Sequence, residues 1–245
     1  MNNIYRQATI FHPENIDLMQ NNQQESWVIL CDFDGTISLA DVTDVLLTKF
    51  GKPGHEELED KWLNGEIGSR ACMSGQIALI DADKHELDTA LASIDIDPDF
   101  KHFVQHAKKL GIPVKIISDG LDYAIKHILK PHGLDNLPIY ANRFIQTAER
   151  SWQLEFPHAS ENCVKASGNC KCARVAAYQS INEKVLFVGD GSSDFCASGK
   201  VDFVLAKDKL IQHCIKQGTP HLAINGFAEA LDYITETLPN QLAFK

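Results

Sequence analysis

The sequence predicts an α/β fold built on a mainly parallel sheet, and three observations predict it. Short, continuous apolar runs recur along the chain, each ending at a polar residue beside a glycine. Helical patterns lie between them. The gap between the first two strong runs, about 80 residues, is much longer than one crossover needs. Runs of that kind fit strands buried on both faces, and strands alternating with helices give parallel pairing.

In order, Trp27 to Asp32 reads as the first buried strand. Asp41 to Phe50, His55 to Asn64, Ser69 to Ile80 and Lys84 to Ser93 read as successive helices. Phe100, Phe103, Val104, Ala107 and Leu110 keep helical spacing, and Gly111 closes that helix. Val114 to Ser118 is the second strong strand. Tyr123 to Leu129 is a helix stopped by Pro131 and Gly133, and a further helix is expected over Ala173 to Ser180. Val185 to Asp190 is the third strong strand, and Val201 to Ala206 is a weaker fourth. In open parallel sheets, ligands sit at the carboxyl ends of strands, so the polar ends of the three strong strands should converge. The helices after the first strand can be extra layers on the sheet or a cap over those ends.

Composition bounds the function. The chain has 245 residues, enough for a core domain carrying an insertion, and a formal net charge of −10. That balance argues against non-specific nucleic-acid binding. No apolar run approaches the roughly 18 residues of a membrane span. Residues 1–26 form a polar extension without a signal-peptide pattern, which predicts a cytoplasmic protein. Seven cysteines in a chain of this size are expected to be reduced.

The chemistry lies at the strand ends. Asp32-Phe33-Asp34-Gly35-Thr36 puts a carboxylate where it can attack phosphorus and a second one two residues on, suited to proton transfer. Taken alone, these residues read equally as a strand end capping the next helix, or as letters of a calcium loop. Ser118 offers a hydroxyl beside Asp119 and Gly120, where backbone amides can meet phosphate oxygens. Gly189-Asp190-Gly191-Ser192-Ser193-Asp194 adds two acids in a glycine-containing turn. Carboxylates from neighbouring strands suit magnesium.

Together these segments resemble the haloacid dehalogenase superfamily of phosphatases, over nearly the whole stretch from Trp27 to Ala206. The resemblance implies a Rossmann-like core with Asp32 as nucleophile. It implies Asp34 as general acid and base, and as a Mg2+ ligand through its backbone carbonyl. Asp190 would be a further ligand with Asp194 close to the metal, and Thr36 and Ser118 would hydrogen-bond the reacting groups. The superfamily also uses a charge-balancing lysine, for which Lys171 stands at the usual distance, ahead of Lys165 and Lys184. Helices inserted between the first two motifs resemble the C1-type cap of the phosphoserine-phosphatase branch. This implies a cap over 41–110 and a core formed by 27–40 and 111–245. In that branch an acid after the first motif and a cap arginine read substrate. Asp41 and Arg70 match them, although an N-cap and a solvated helix face would explain these two residues equally.

Phe156-Pro157-His158, followed by Cys163, Cys170, Lys171 and Cys172, resembles 2-hydroxy-3-keto-5-methylthiopentenyl-1-phosphate phosphatases of methionine salvage. Ser118-Asp119-Gly120 departs from the Ser-Gly-Gly common to both groups. His158 and the three cysteines also suffice in number for a structural zinc, or for a disulfide acting on Lys171. His102 and His106 share a helix face, and a solvated face accounts for them. The expected activity is magnesium-dependent hydrolysis of a small phosphorylated metabolite, with phosphoserine hydrolysis and phosphotransfer as alternatives. A response-regulator-like domain and an inactive metabolite-binding module are the non-enzymatic alternatives. Oligomeric state is not legible.

Overall fold

A computed structural model of the chain describes residues 26–181 and 183–238. Nearly all of the polar extension expected over 1–26 lies outside them. Among the described residues the strands form one seven-stranded sheet, with order β4-β3-β2-β1-β5-β6-β7. The strands are β1 (Ser26–Cys31), β2 (Val114–Leu121), β3 (Ile139–Ala148), β4 (Ser151–Glu155), β5 (Glu183–Gly189), β6 (Phe203–Ala206) and β7 (His221–Ala223). Only β3 and β4 pair antiparallel. The helices are α1 (Val42–Phe50), α2 (His55–Leu63), α3 (Ser69–Ala78), α4 (Lys84–Leu91), α5 (Phe100–Lys109), α6 (Asp122–Leu129), α7 (Lys171–Gln179), α8 (Phe195–Ser198), α9 (Asp208–Gln217) and α10 (Phe227–Asp232).

The apolar runs fold as expected because both their faces are covered. Val28, Ile29, Leu30 and Cys31 of β1 are fully buried, and so are Val185 to Val188 of β5. Ile29 and Cys31 belong to one apolar cluster, Val28 and Leu30 to the other. Strand alternation thus sends neighbouring side chains into two separate layers. β1 lies between β2 and β5, so the ends of all three strong runs are adjacent.

The chain leaves the sheet after β1 and returns through a short paired crossing. Leu39 N–H donates to Asp95 O (3.0 Å) and Asp97 N–H to Ile37 O (2.8 Å). α5, expected within the inserted segment, lies beyond this crossing and against the sheet side of the molecule. Its Phe100 and Phe103 meet Phe227 of α10 edge-on, with ring centroids 4.8 and 5.1 Å apart. α1 and α4 bury Leu46, Leu47, Leu87 and Leu91 in the same apolar cluster as the sheet. α2 has no buried residue. α7 starts at Lys171, two residues before the expected Ala173, since the lysine is drawn inward by buried carboxylates. No helix among the described residues is long and apolar enough to cross a membrane.

Candidate active site

The ends of β1, β2 and β5 meet at the floor of a cavity of about 860 Å³. Asp32, Asp34, Ser118, Asp119, Gly120 and Asp190 line the floor, and Asp41, Asp44, Glu59, Trp62, Met73 and Gln76 line the wall from the inserted helices.

Asp32 follows β1 directly. Its Oδ1 accepts from the Phe33 amide (2.8 Å), which fixes the carboxylate against its own backbone. Its Oδ2 lies 2.5 Å from Lys171 Nζ. Lys171 is 3% exposed, and its ammonium also reaches Asp194 Oδ1 (2.6 Å) and Ser193 Oγ (2.9 Å). One buried cation thus serves two buried carboxylates. Burial pushes the Asp32 carboxyl well above its usual range and Asp194 adds to that, while Lys171 opposes both. Burial alone would lower the lysine, but Asp194 and Asp32 outweigh it and hold the ammonium firmly protonated. Lys165 is exposed, and Lys184 lies over the Trp27 ring.

Asp34 accepts from the Val42 amide at the start of α1 (Oδ1, 2.9 Å) and from Ser118 Oγ (Oδ2, 3.3 Å). Burial, with Asp41 nearby, raises it to about 7. That value lets one group give and take a proton near neutral pH. The approach is close: a Cβ on Gly120 would collide with Asp34 Oδ2. The Gly120 amide donates to Ser118 Oγ (2.9 Å).

Asp190 accepts from Thr36 Oγ1 (2.6 Å), and burial raises its carboxyl. Gly35 turns between them at φ 72°, where a Cβ would stand 2.6 Å from Asp190 Oδ2. Asp194 is fully buried and its Oδ2 accepts from the amides of Asp190 (3.0 Å) and Gly191 (3.2 Å). Asp32, Asp190 and Asp194 each offer an oxygen, all within 4.8 Å of one another. Clustered hard carboxylate oxygens are the donor chemistry of a divalent cation such as Mg2+, so the residues fit a metal.

Other expected residues are placed differently. Asp41 caps α1 by accepting from the Asp44 amide (3.0 Å) and also lines the cavity. The Arg70 side chain is exposed and outside the cavity lining; it is Ser69, its neighbour, that reaches the floor. His158 packs edge-on to Tyr140 rather than gathering the cysteines. Among the described residues, the acidic triad is the one group of three or more side chains gathered closely enough to hold a metal.

Several residues escaped the sequence reading. Asn169 and Asn142, both buried, hold Asp119 from the backbone and side-chain sides. Buried Lys207 donates to Gly35 O (2.9 Å) and Thr36 O (3.1 Å), adding a second cation beneath the first loop. Single polar residues far apart in sequence carry no spacing signal. Ser193 lay inside a recognised motif without an assigned role.

This fold, with acids and a lysine gathered at its strand ends, defines a phosphoric monoester hydrolase of the haloacid dehalogenase type. Residues 27–222 match the family described as Putative Phosphatase, and the chain belongs to that family. The chain is similar to 2-hydroxy-3-keto-5-methylthiopentenyl-1-phosphate phosphatases of Brevibacillus brevis and Bacillus pumilus. It is 28% identical to the first, covering 83% of this chain and 93% of that protein, and 29% identical to the second, covering 82% and 88%. Among solved structures, a phosphoserine phosphatase with a phospho-aspartyl intermediate analogue superposes at TM-score 0.65. Identity there is 20%, covering 85% of this chain and 99% of that one. A haloacid dehalogenase family hydrolase from Salmonella enterica superposes at 0.68, with 17% identity, covering 87% and 72%.

Proposed function

We propose that the protein hydrolyses 2-hydroxy-3-keto-5-methylthiopentenyl-1-phosphate, with Mg2+, through an aspartyl-phosphate on Asp32. The observation that carries the reaction is the pairing of buried Asp32 with Lys171 at 2.5 Å, beside an Asp34 poised near 7. In the first step an Asp32 oxygen bonds to phosphorus as the ester P–O bond breaks, and Asp34 gives its proton to the leaving oxygen. In the second, Asp34 takes a proton from water as that water's oxygen bonds to phosphorus and the Asp32–phosphorus bond breaks. Lys171 neutralises charge on the nucleophile and the phosphoryl oxygens, and Ser118 orients Asp34. Asp32, Asp190 and the Asp34 carbonyl would hold the metal, with Asp194 close by; when bound, Mg2+ supplies charge neutralisation to the phosphoryl group.

The cavity wall supports the choice of substrate. Trp62, Cys72 and Met73 offer soft apolar surface for a methylthio group. Asp44 and Glu59 can accept from hydroxyls but would repel the carboxylate of phosphoserine, and Arg70 does not line the cavity to balance it. We place the cap between the paired crossing points, about residues 40–95, with α5 in the core. A cytoplasmic setting fits a soluble metabolite.

The test is phosphate release from a panel of phosphomonoesters with magnesium, wild type beside Asp32→Asn. The methylthiopentenyl phosphate, generated in situ, should be the best substrate, and the variant should lose at least 10³-fold in kcat. Preference for phosphoserine would reject the substrate, and equal turnover by the variant would reject the nucleophile.

A further inference from the structure

Asp119 lies on the cavity floor, and a carboxylate beside a phosphate site should repel substrate. Its contacts give it other work. Oδ1 accepts from the Asn169 amide (2.8 Å) and from Asn142 Nδ2 (3.3 Å), while Oδ2 accepts from Ser69 Oγ (3.0 Å). Burial raises this carboxyl, and the three donors and the charge of Lys171 offset that rise only in part. The side chain therefore joins four elements: its own strand β2, β3 through Asn142, the segment leading into α7, and the first residue of α3.

Two further contacts run along the same seam. Asn169 Nδ2 donates to Ser118 O (2.9 Å) and Tyr140 O (2.6 Å), so the segment just before Lys171 is pinned across β2 and β3. The Arg70 amide donates to Ala166 O (3.1 Å). Ala166 holds φ 46°, a left-handed conformation that a residue with a Cβ keeps only where its surroundings impose it. A Cβ on Gly68 would stand 2.8 Å from the Ala166 methyl, so the start of α3 presses directly on this segment. α3 pairs with α2, the inserted helix with no buried residue, whereas α1 and α4 are anchored in the main core. α3 itself buries Ile77 in that core and packs on β4, and Ser69 to Asp119 is a side-chain tie that joins the first turn of α3 to the catalytic floor.

We propose that Asp119 is a positioning residue that couples the seating of α3 to the placement of Lys171, through the Asn169 amide two residues before it. The proposal rests on the phosphatase reading of Lys171. A carboxylate suits this role better than glycine because one group accepts from both sides at once. Its charge is occupied by donors, which removes the objection that it would repel phosphate.

The experiment combines kinetics on p-nitrophenyl phosphate with hydrogen–deuterium exchange of residues 166–172, on wild type, Ser69→Ala, Asp119→Asn, Asp119→Gly and Asp32→Asn. Ser69→Ala removes only the cap-side bond. It should speed exchange over 166–172 about tenfold and lower kcat three- to tenfold with KM within about twofold. Asp119→Gly should lower kcat by 30-fold or more. Asp119→Asn, whose Oδ1 can still accept from Asn169, should recover at least a third of wild-type kcat. Unchanged exchange and kcat in Ser69→Ala would overturn the coupling, and so would an Asn variant as poor as the Gly variant. Undiminished turnover by Asp32→Asn would instead strike the nucleophile reading, while the exchange data still decide the coupling.

Discussion

Lys171 illustrates how much one side chain carries at the floor of this molecule. Its ammonium compensates Asp32 and Asp194 inside a site from which all three are nearly excluded from water. Removing one partner of such a cluster leaves uncompensated buried charge, which costs roughly 3–5 kcal/mol. Lys171→Met should therefore unfold at lower denaturant at pH 7. The loss should shrink at pH 5, because the orphaned Asp32 carboxyl, already raised by burial, takes up a proton. Equal losses at both pH values would mean that packing, not charge, sets the cost. Asp34 carries the opposite liability. Its folded value of about 7 lies above the ordinary carboxyl range, so the folded state binds the extra proton. Stability from this group is full below about pH 4 and drains away as pH rises through about 7. Asp34→Asn keeps an acceptor for the Val42 amide and removes the titration. In metal-free buffer its stability relative to wild type should grow between pH 5 and pH 8, by up to a few kcal/mol. Chemical denaturation at the two pH values measures this, and a constant difference would show that Asp34 titrates normally.

The β3–β4 hairpin shows which forces hold elements together, and what sequence reading could reach. Its tip meets the α3–α4 connection in two ways. Arg150 reaches Asp81 (2.6 Å), Glu86 (2.9 Å) and Asp83 (3.7 Å). Trp152, 5% exposed, stacks on Phe144 at 4.5 Å and donates from Nε1 to Ala82 O (2.9 Å). Arg150 is 45% exposed at its side chain, so its ion pairs are screened by solvent and contribute little to stability. Truncating a buried Trp costs roughly 3–5 kcal/mol. Thermal melts should accordingly show Arg150→Ala close to wild type and Trp152→Ala strongly destabilised; the reverse order would make the ionic cluster the fastener. The hairpin was not legible beforehand because Ile139 to Ala148 mixes Asn, Arg, Gln and Thr among its apolar residues, and neither continuous burial nor clean alternation marks it. β1, β2 and β5 were legible because burial on both faces confines their centres to apolar residues, Lys115 of β2 excepted. The same logic separates the site residues. Asp32, Asp34, Ser118, Asp190 and Asp194 sit at the ends of readable strands, whereas Asn142, Asn169 and Ser69 act through contacts between 23 and 50 residues apart. The packing partner of α5 is hidden from sequence for a related reason. α5 shows its Phe100–Phe103 face in sequence, but not that the face belongs to Phe227.

At the scale of the whole molecule, an acidic protein must handle an anionic substrate. The net charge is −10, and the cavity lining includes eight acids, Asp32, Asp34, Asp41, Asp44, Glu59, Asp119, Asp190 and Asp208, against one lysine, Lys209. Buried Lys171 and Lys207 lie behind that lining and are already engaged with protein oxygens. Lys209 and Lys171 leave most of that acidic lining uncompensated, and Asp32, Asp190 and Asp194 lie close enough together to hold a cation. A divalent cation held by these oxygens in the folded state should stabilise the fold by mass action, about 2.7 kcal/mol at a hundredfold excess over Kd. For a chain of this size that corresponds to a rise in Tm on the order of 5 °C or more. Magnesium added to metal-free protein should produce this shift at pH 7.5. The shift should be smaller at pH 5.5, where protons compete for the same oxygens, and should largely vanish in Asp190→Asn. Scanning calorimetry reads all three without any substrate. A shift that survives Asp190→Asn would place the cation elsewhere, and no shift in wild type would leave the acidic cavity without the counter-charge its chemistry requires.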